Sequence, residues 1–375
     1  MENRRNKSVR RYLYVFLSLC ASITLPKPAL AEVTGLLMWT PDPKGITYLF
    51  PKIKGKDAVQ VAADYLRRLK SSPVYGPMED TQEIRLQAPP QSFRNLPEAS
   101  FDHPRVAVLI NRPKQMTAKS AYMKLVFSAF QRRGSRLFTI PLGLETVLSP
   151  KEMKQVEDLV ARDFNGFLGV GGDDVHPALY NQSDTRLATG DISLERDSLQ
   201  LSMIKNYLSK SKGRLFLICR STQLGAVATG RTLYPDIHAA GLTQVPQRMD
   251  QAKTSVVLRE VVTDPNSELA QAAGSSHFIT SNSHHAAVNP NRSLVTSPSS
   301  SISAYNIEAD GTRGKVVKAI DLPANAGMGV QFHPEFENSP EESRILDYVT
   351  QGWKLGRVSP KQIVNCLVKS MAKAR

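Results

Sequence analysis

The chain has 375 residues, 41% of them hydrophobic and 22% charged, which supplies a sizeable core and excludes wholesale disorder. Its net charge of +14 is scattered, without a basic run carrying interleaved aromatics. That pattern argues against a nucleic-acid partner and for a solvated surface drawn to anionic envelope polymers or lipid. Three cysteines, Cys20, Cys219 and Cys366, show no metal-ligand spacing, so no metal site is expected. A disulfide between Cys219 and Cys366 stays open for an exported protein.

Residues 1–31 read as a secretory signal peptide. A basic stretch from Arg4 to Arg11 precedes an apolar run from Tyr12 to Leu25, and Ala29 and Ala31 supply the small residues of a cleavage site before Glu32. The apolar run is short for a membrane span, so no stable span is expected after cleavage; an uncleaved anchor is the alternative. Removing this segment takes away a net +5 and leaves +9. The expected location is periplasmic or secreted.

Residues 32–103 form an N-terminal extension and connector. Asp57–Leu69 has helical spacing, and the stretch from Pro73 to Pro104, rich in Pro, Gln and Ser, reads as extended. From Arg105 the pattern becomes regular. Strands are predicted at Val106–Ile110, Leu137–Pro141, Gly166–Val170 and Arg214–Ile218. Helices are predicted between them at Ala118–Arg133, Lys151–Arg162 and Ser193–Leu208. This alternation implies βαβ units and a mostly parallel sheet flanked by helices, an α/β fold, with ligands at the carboxyl ends of the strands. Further short strands follow at Ser255–Thr263, His277–Thr280, Ala304–Glu308, Lys315–Asp321 and Gly327–Phe332. The chain closes with helices at Glu341–Lys354 and Pro360–Ala374. The organisation expected is 1–31, 32–103, a main domain over 104–340, and C-terminal helices over 341–375.

Cys219 ends the apolar run Leu215–Ile218 and precedes a helix start. A thiol there feels the positive end of a helix, which favours thiolate; a buried structural cysteine is the plain alternative. A cysteine hydrolase also needs a base, a group to orient it, and donors for the oxyanion. His333 follows the last apolar strand and Glu335 lies two residues on. Backbone amides of Gly171, Gly172 and Arg220 are candidates for the oxyanion hole. Taken singly, His333 and Glu335 could be surface groups and Gly171-Gly172 an ordinary turn.

Together these residues resemble the class I glutamine amidotransferase-like superfamily, and within it the gamma-glutamyl hydrolase branch that includes gamma-glutamyl-GABA hydrolase. Residues Gly171 to Tyr180 follow the branch's G-G-x-D-[VI]-x-P-x-x-Y pattern. Arg196-Asp197, Ile218-Cys219-Arg220, Thr232-Leu233-Tyr234-Pro235-Asp236-Ile237, Asn282-Ser283-His284-His285 and Gly329 to Glu335 resemble its other blocks in order and spacing. The likeness covers about 104–340. It implies hydrolysis of a gamma-glutamyl amide through a thioester on Cys219, with His333 moving the proton and Glu335 orienting it. Asp174, Asn282, His284 and His285 are the implied substrate-side residues. The substrate would be a small gamma-glutamyl compound or peptide, and no cofactor is implied. Departures fall at Leu217 and Ser221, where the family turn carries small residues, at Arg231 in place of a second glycine, and at Ala286 in place of a glutamine. They motivate a second reading, a non-catalytic binding or structural protein of the envelope on the same fold. An ammonia-delivering synthase component is a third, for which this chain holds no synthase domain.

Overall fold

The computed structural model describes residues 103–373 apart from 113–114, 116–119, 147, 184–185, 191 and 244–255. Outside that range it describes the strand segments 35–39, 47–51 and 85–86 and residues 65, 67, 68 and 71. The predicted signal peptide, and most of the predicted Asp57–Leu69 helix and of the connector, lie outside the described residues.

The strands in chain order are β1 (Gly35–Trp39), β2 (Thr47–Pro51), β3 (Arg85–Leu86), β4 (Arg105–Leu109), β5 (Arg136–Ile140), β6 (Gly166–Gly169), β7 (Arg214–Ile218), β8 (Arg231–Tyr234), β9 (Val257–Thr263), β10 (His277–Asn282), β11 (Ala287–Ser293), β12 (Ser301–Ile307), β13 (Arg313–Asp321) and β14 (Gly327–Val330). Twelve of them form one sheet in the order β10-β9-β12-β13-β14-β7-β6-β4-β5-β2-β1-β3. Its centre, from β14 through β7, β6, β4 and β5 to β2, is parallel. Antiparallel strands extend it on both sides, and β8 and β11 pair separately as a two-stranded ribbon. The expected α/β architecture is present.

β7 shows why the centre is parallel. Its sequence Arg-Leu-Phe-Leu-Ile does not alternate, and every residue is buried, as a strand covered on both faces requires. Helices α1 (Ala121–Gln131), α2 (Pro150–Asp163), α3 (Leu194–Lys210) and α4 (Arg220–Ala228) provide the cover. Their starts are written locally. Ser149 and Glu152 close a reciprocal capping box on α2 with Pro150 in its first turn, and Ser120 and Ser193 cap α1 and α3. Helix α5 (Glu268–Ala273) starts at a Ser267 cap and stops at Gly274 in the left-handed conformation.

Helices α6 (Pro340–Leu355) and α7 (Pro360–Lys373) complete the chain. Helix α6 is tied to the sheet by Trp353, whose Nε1 donates to Arg214 O at 3.0 Å. A Cβ at Gly166 would stand 2.6 Å from the Trp353 ring, so only glycine admits the indole there. The Arg214 guanidinium forms a buried ion pair with Glu268. Ile345, Leu346, Trp353 and Ile363 belong to the same apolar core as the sheet.

Candidate active site

Three neighbouring parallel strands deliver the candidate residues. Gly171 and Gly172 follow β6, Cys219 follows β7, and His333 lies just beyond β14, all at carboxyl ends. Cys219 occupies φ 52°, ψ −112°, a left-handed conformation that L-residues rarely adopt. Its amide donates to Val330 O at 2.7 Å, and its carbonyl accepts from Thr222 and Gln223 amides, so strand and helix together hold the turn. Cys219 is 6% exposed. Both Cys219 and Cys366 are free thiols, so the disulfide left open above is not formed.

The departures at Leu217 and Ser221 have local explanations. A Cβ on Gly225 would collide with Leu217 Cδ1, and one on Gly169 would stand 2.9 Å from Leu217 Cδ2. Two glycines therefore make room for the leucine. Ser221 Oγ donates to Val170 O at 2.7 Å and pins the start of α4 to the end of β6.

His333 Nδ1 is 2.8 Å from Glu335 Oε1, with both side chains buried. Burial works against a charged imidazole, but the Glu335 carboxylate and the Cys219 sulfur outweigh it and hold His333 protonated well above the ordinary histidine range. The His333 amide donates to Ser281 O at 2.7 Å, fixing the backbone on which the ring hangs.

Gly171 lies against His333 and Cys219; a Cβ there would be 2.9 Å from His333 Cε1 and 3.6 Å from Cys219 Cβ. Its amide, however, donates to the Tyr122 hydroxyl at 2.9 Å. Tyr122 stands edge-on to the His333 ring, and burial, then Glu335, keeps its phenol neutral by pushing its pKa well above 10. Among the described residues, the Gly172 and Arg220 amides have no acceptor, as suits the first turn of a helix and a glycine turn. The carbonyls of Val170 and Gly171 accept from Asn111 Nδ2, and that of Gly171 also from Gln115 Nε2. Behind the turn, Arg220 bonds to Asn111, Gln200 and Asp197, while Arg196 bonds to Asp197 and to Asn111 O. Asp197 also accepts the His176 amide, so one buried network sets both loops.

The four residues read as substrate-side are engaged with protein. Asp174 Oδ2 accepts from the Thr189 amide and lies 2.8 Å from His285 Nε2, and His285 Nδ1 is 3.2 Å from Asp236. Asn282 Oδ1 and His284 Nε2 both accept from Lys318 Nζ. A tight recess has Asp174, Tyr180, Gln223, Leu233 and Ala286 in its wall.

Four residues near the thiol escaped the sequence reading. Gln331 Nε2 donates to Cys219 Sγ at 3.6 Å and its Oε1 accepts from Gln223 at 3.3 Å. Gln223 Oε1 is buried with no partner among the described residues. Tyr122 and Lys318 come from α1 and β13, far off in sequence, where nothing local marks them. Gln331 sits within the Gly329–Glu335 block and Gln223 four residues past Cys219, so both could have been found from their distance along the chain to Cys219 and His333. Among the described residues, no group of three or more His, Cys, Asp or Glu is arranged for a metal ion, and no helix is long and apolar enough to cross a membrane.

A family model described as Peptidase C26 matches residues 106–335. Two solved structures are similar. One is a Thermoplasma acidophilum protein assigned as a component of GMP synthase (11% identity, 72% of this chain and 98% of that one, TM-score 0.42). The other is the glutaminase domain of Trypanosoma brucei CTP synthase with bound acivicin (14% identity, 67% of this chain and 94% of that one, TM-score 0.46). A search of curated proteins finds no match.

Proposed function

The chain belongs to the Peptidase C26 family of hydrolases, and on that premise we propose that it is an exported cysteine amidohydrolase cleaving gamma-glutamyl amide bonds. The observation that carries the reading is Cys219, held at φ 52° beside a His333–Glu335 pair 2.8 Å apart. The Cys219 thiolate attacks the gamma-carbonyl carbon, and the developing oxyanion is received by the Gly172 and Arg220 amides. His333 gives its proton to the leaving nitrogen as the C–N bond breaks, leaving a thioester. Water, deprotonated by His333, then adds to the thioester and releases free glutamate carboxyl and thiolate. Glu335 keeps the imidazole oriented throughout. The gamma-glutamyl choice rests on the motif likeness over 104–340. Export rests on the pattern of residues 1–31, and an N-terminus at Glu32 in the exported protein is its expected signature.

The test uses residues 32–375 with a panel of gamma-glutamyl amides and peptides. Release abolished by Cys219→Ala, together with a glutamyl adduct on Cys219 seen by mass spectrometry, is the expected result. No Cys219-dependent release from any member sinks the substrate class.

One observation favours the non-catalytic reading: the Gly171 amide is already taken by Tyr122. That reading predicts a thiol alkylated by iodoacetamide no faster than an ordinary one at neutral pH. Rapid alkylation with an apparent pKa well below about 8.5 counts against it.

A further inference from the structure

Lys318, on β13, is completely buried. Its Nζ lies 2.6 Å from Asn282 Oδ1 and 2.8 Å from His284 Nε2. The tautomer of His284 follows from its other side: Nδ1 faces the Ala286 carbonyl at 3.0 Å, so Nδ1 carries the hydrogen and Nε2 accepts from the lysine. Asn282 and His284 flank Ser283, and it is the Ser283 carbonyl that stands 3.9 Å from the Cys219 thiol. One step earlier, the Ser281 carbonyl takes the His333 amide. The Lys318 carbonyl itself accepts the amide of Gln331, whose side chain donates to Cys219 Sγ. A single lysine thus holds two of the pieces of chain that border the thiol, the 282–284 segment and Gln331.

We propose that Lys318 is a positioning residue for Cys219: it clamps the 281–286 segment against the thiol and lends positive charge to the thiolate beside that of His333. The proposal rests on Cys219 being the reactive thiol, though not on any particular substrate.

The charged groups around Lys318 pull in both directions. Burial and Arg259, from β9 two strands away, push its pKa well below that of an ordinary lysine, while Cys219 and Glu308 pull it back. His284, in contact, is held neutral by burial first and by Lys318 next, with smaller contributions from His333 and His285. An amine this costly to charge gains most from an anion nearby, and the thiolate is one. By linkage, whatever Lys318 does for thiolate formation, the thiolate does for protonation of Lys318.

The experiment is the pH profile of Cys219 alkylation by iodoacetamide in residues 32–375, for wild type, Lys318→Met and Lys318→Arg. Alkylation needs no substrate, so it stays informative even if the gamma-glutamyl reading fails. In Lys318→Met the midpoint is expected to rise by about one pH unit, a tenfold loss of rate below it. Lys318→Arg, which keeps the charge, is expected to recover part of the shift. Superimposable profiles for wild type and a folded Lys318→Met overturn the proposal. Should Lys318→Met fail to fold, the reciprocal measurement decides. In protein labelled with ¹⁵N-lysine, the Lys318 Nζ signal titrates at lower pH in Cys219→Ala than in wild type. Identical titrations overturn it equally.

Discussion

His333 keeps its proton where an unperturbed histidine would have lost it, because the buried Glu335 carboxylate and the Cys219 sulfur outweigh the cost of burial. The linkage has a definite sign. A histidine with a raised folded-state pKa contributes stability that is complete below about 6.5 and is lost as pH rises through the higher value. In the hydrolysis we propose, the imidazolium is the proton donor, so the alkaline limb of the pH profile follows the same group. Glu335→Gln removes the supporting charge. We expect the alkaline limb of kcat/KM to move to lower pH and the maximum to fall at least tenfold; an unmoved limb would show that Glu335 does not act through His333. This pairing was legible in the sequence from the His333-Pro334-Glu335 spacing. The Tyr122 hydroxyl on the Gly171 amide was not, because it joins a helix to a loop 49 residues away.

At the scale of the elements, the turn at Cys219 depends on complementary sizes. Leu217 is fully buried and its methyl groups fill the space left by Gly169 and Gly225. Gly225→Ala overpacks that space and should cost about 1–3 kcal/mol. Leu217→Ala empties it and should cost about 2–5 kcal/mol. The double variant should be less destabilised than the sum by about 0.5–3 kcal/mol, read from urea unfolding midpoints. Strict additivity would mean that the leucine and the glycine do not share one space. Sequence comparison marked Leu217 as an unusual neighbour of Cys219, and the glycine that accommodates it was eight residues further on in the same chain. Most other elements were readable within two or three residues, since their periods and caps are local. The ribbon of β8 and β11 was not, because its short strands become strands only by pairing with each other.

The molecule as a whole carries a pH dependence through Glu342, at the start of α6. Its carboxylate accepts the Ser281 amide at 2.6 Å, the Ser281 hydroxyl and the Asn338 amide, joining the last helices to the segment that supports His333. Burial raises its pKa to about 7, against the hydrogen bonds that lower it. A carboxyl with a raised folded-state pKa binds more protons folded than unfolded. Its contribution is therefore complete below about 4.5 and is lost as pH climbs through about 7. The loss should be on the order of 2 kcal/mol once partial solvent screening is allowed for. Denaturation midpoints measured between pH 5 and 8 should fall in wild type and lie flatter in Glu342→Gln. An equal slope in both would assign the effect elsewhere.

The sequence by itself determined what depends on neighbours along the chain: the alternation of strands and helices from Arg105 onward, the helix caps, the turn at Cys219 and the His333–Glu335 spacing. Those are short-range consequences of hydrophobic period, side-chain hydrogen bonding and backbone sterics. Only the tertiary structure decided what the buried polar groups do. Gly171 gives its amide to Tyr122, Asn282 and His284 are held by Lys318, and Gln331 reaches the thiol. A buried donor or acceptor has to find its partner wherever the fold supplies one, and β13, α1 and the 281–286 segment meet around Cys219 only when the sheet is assembled.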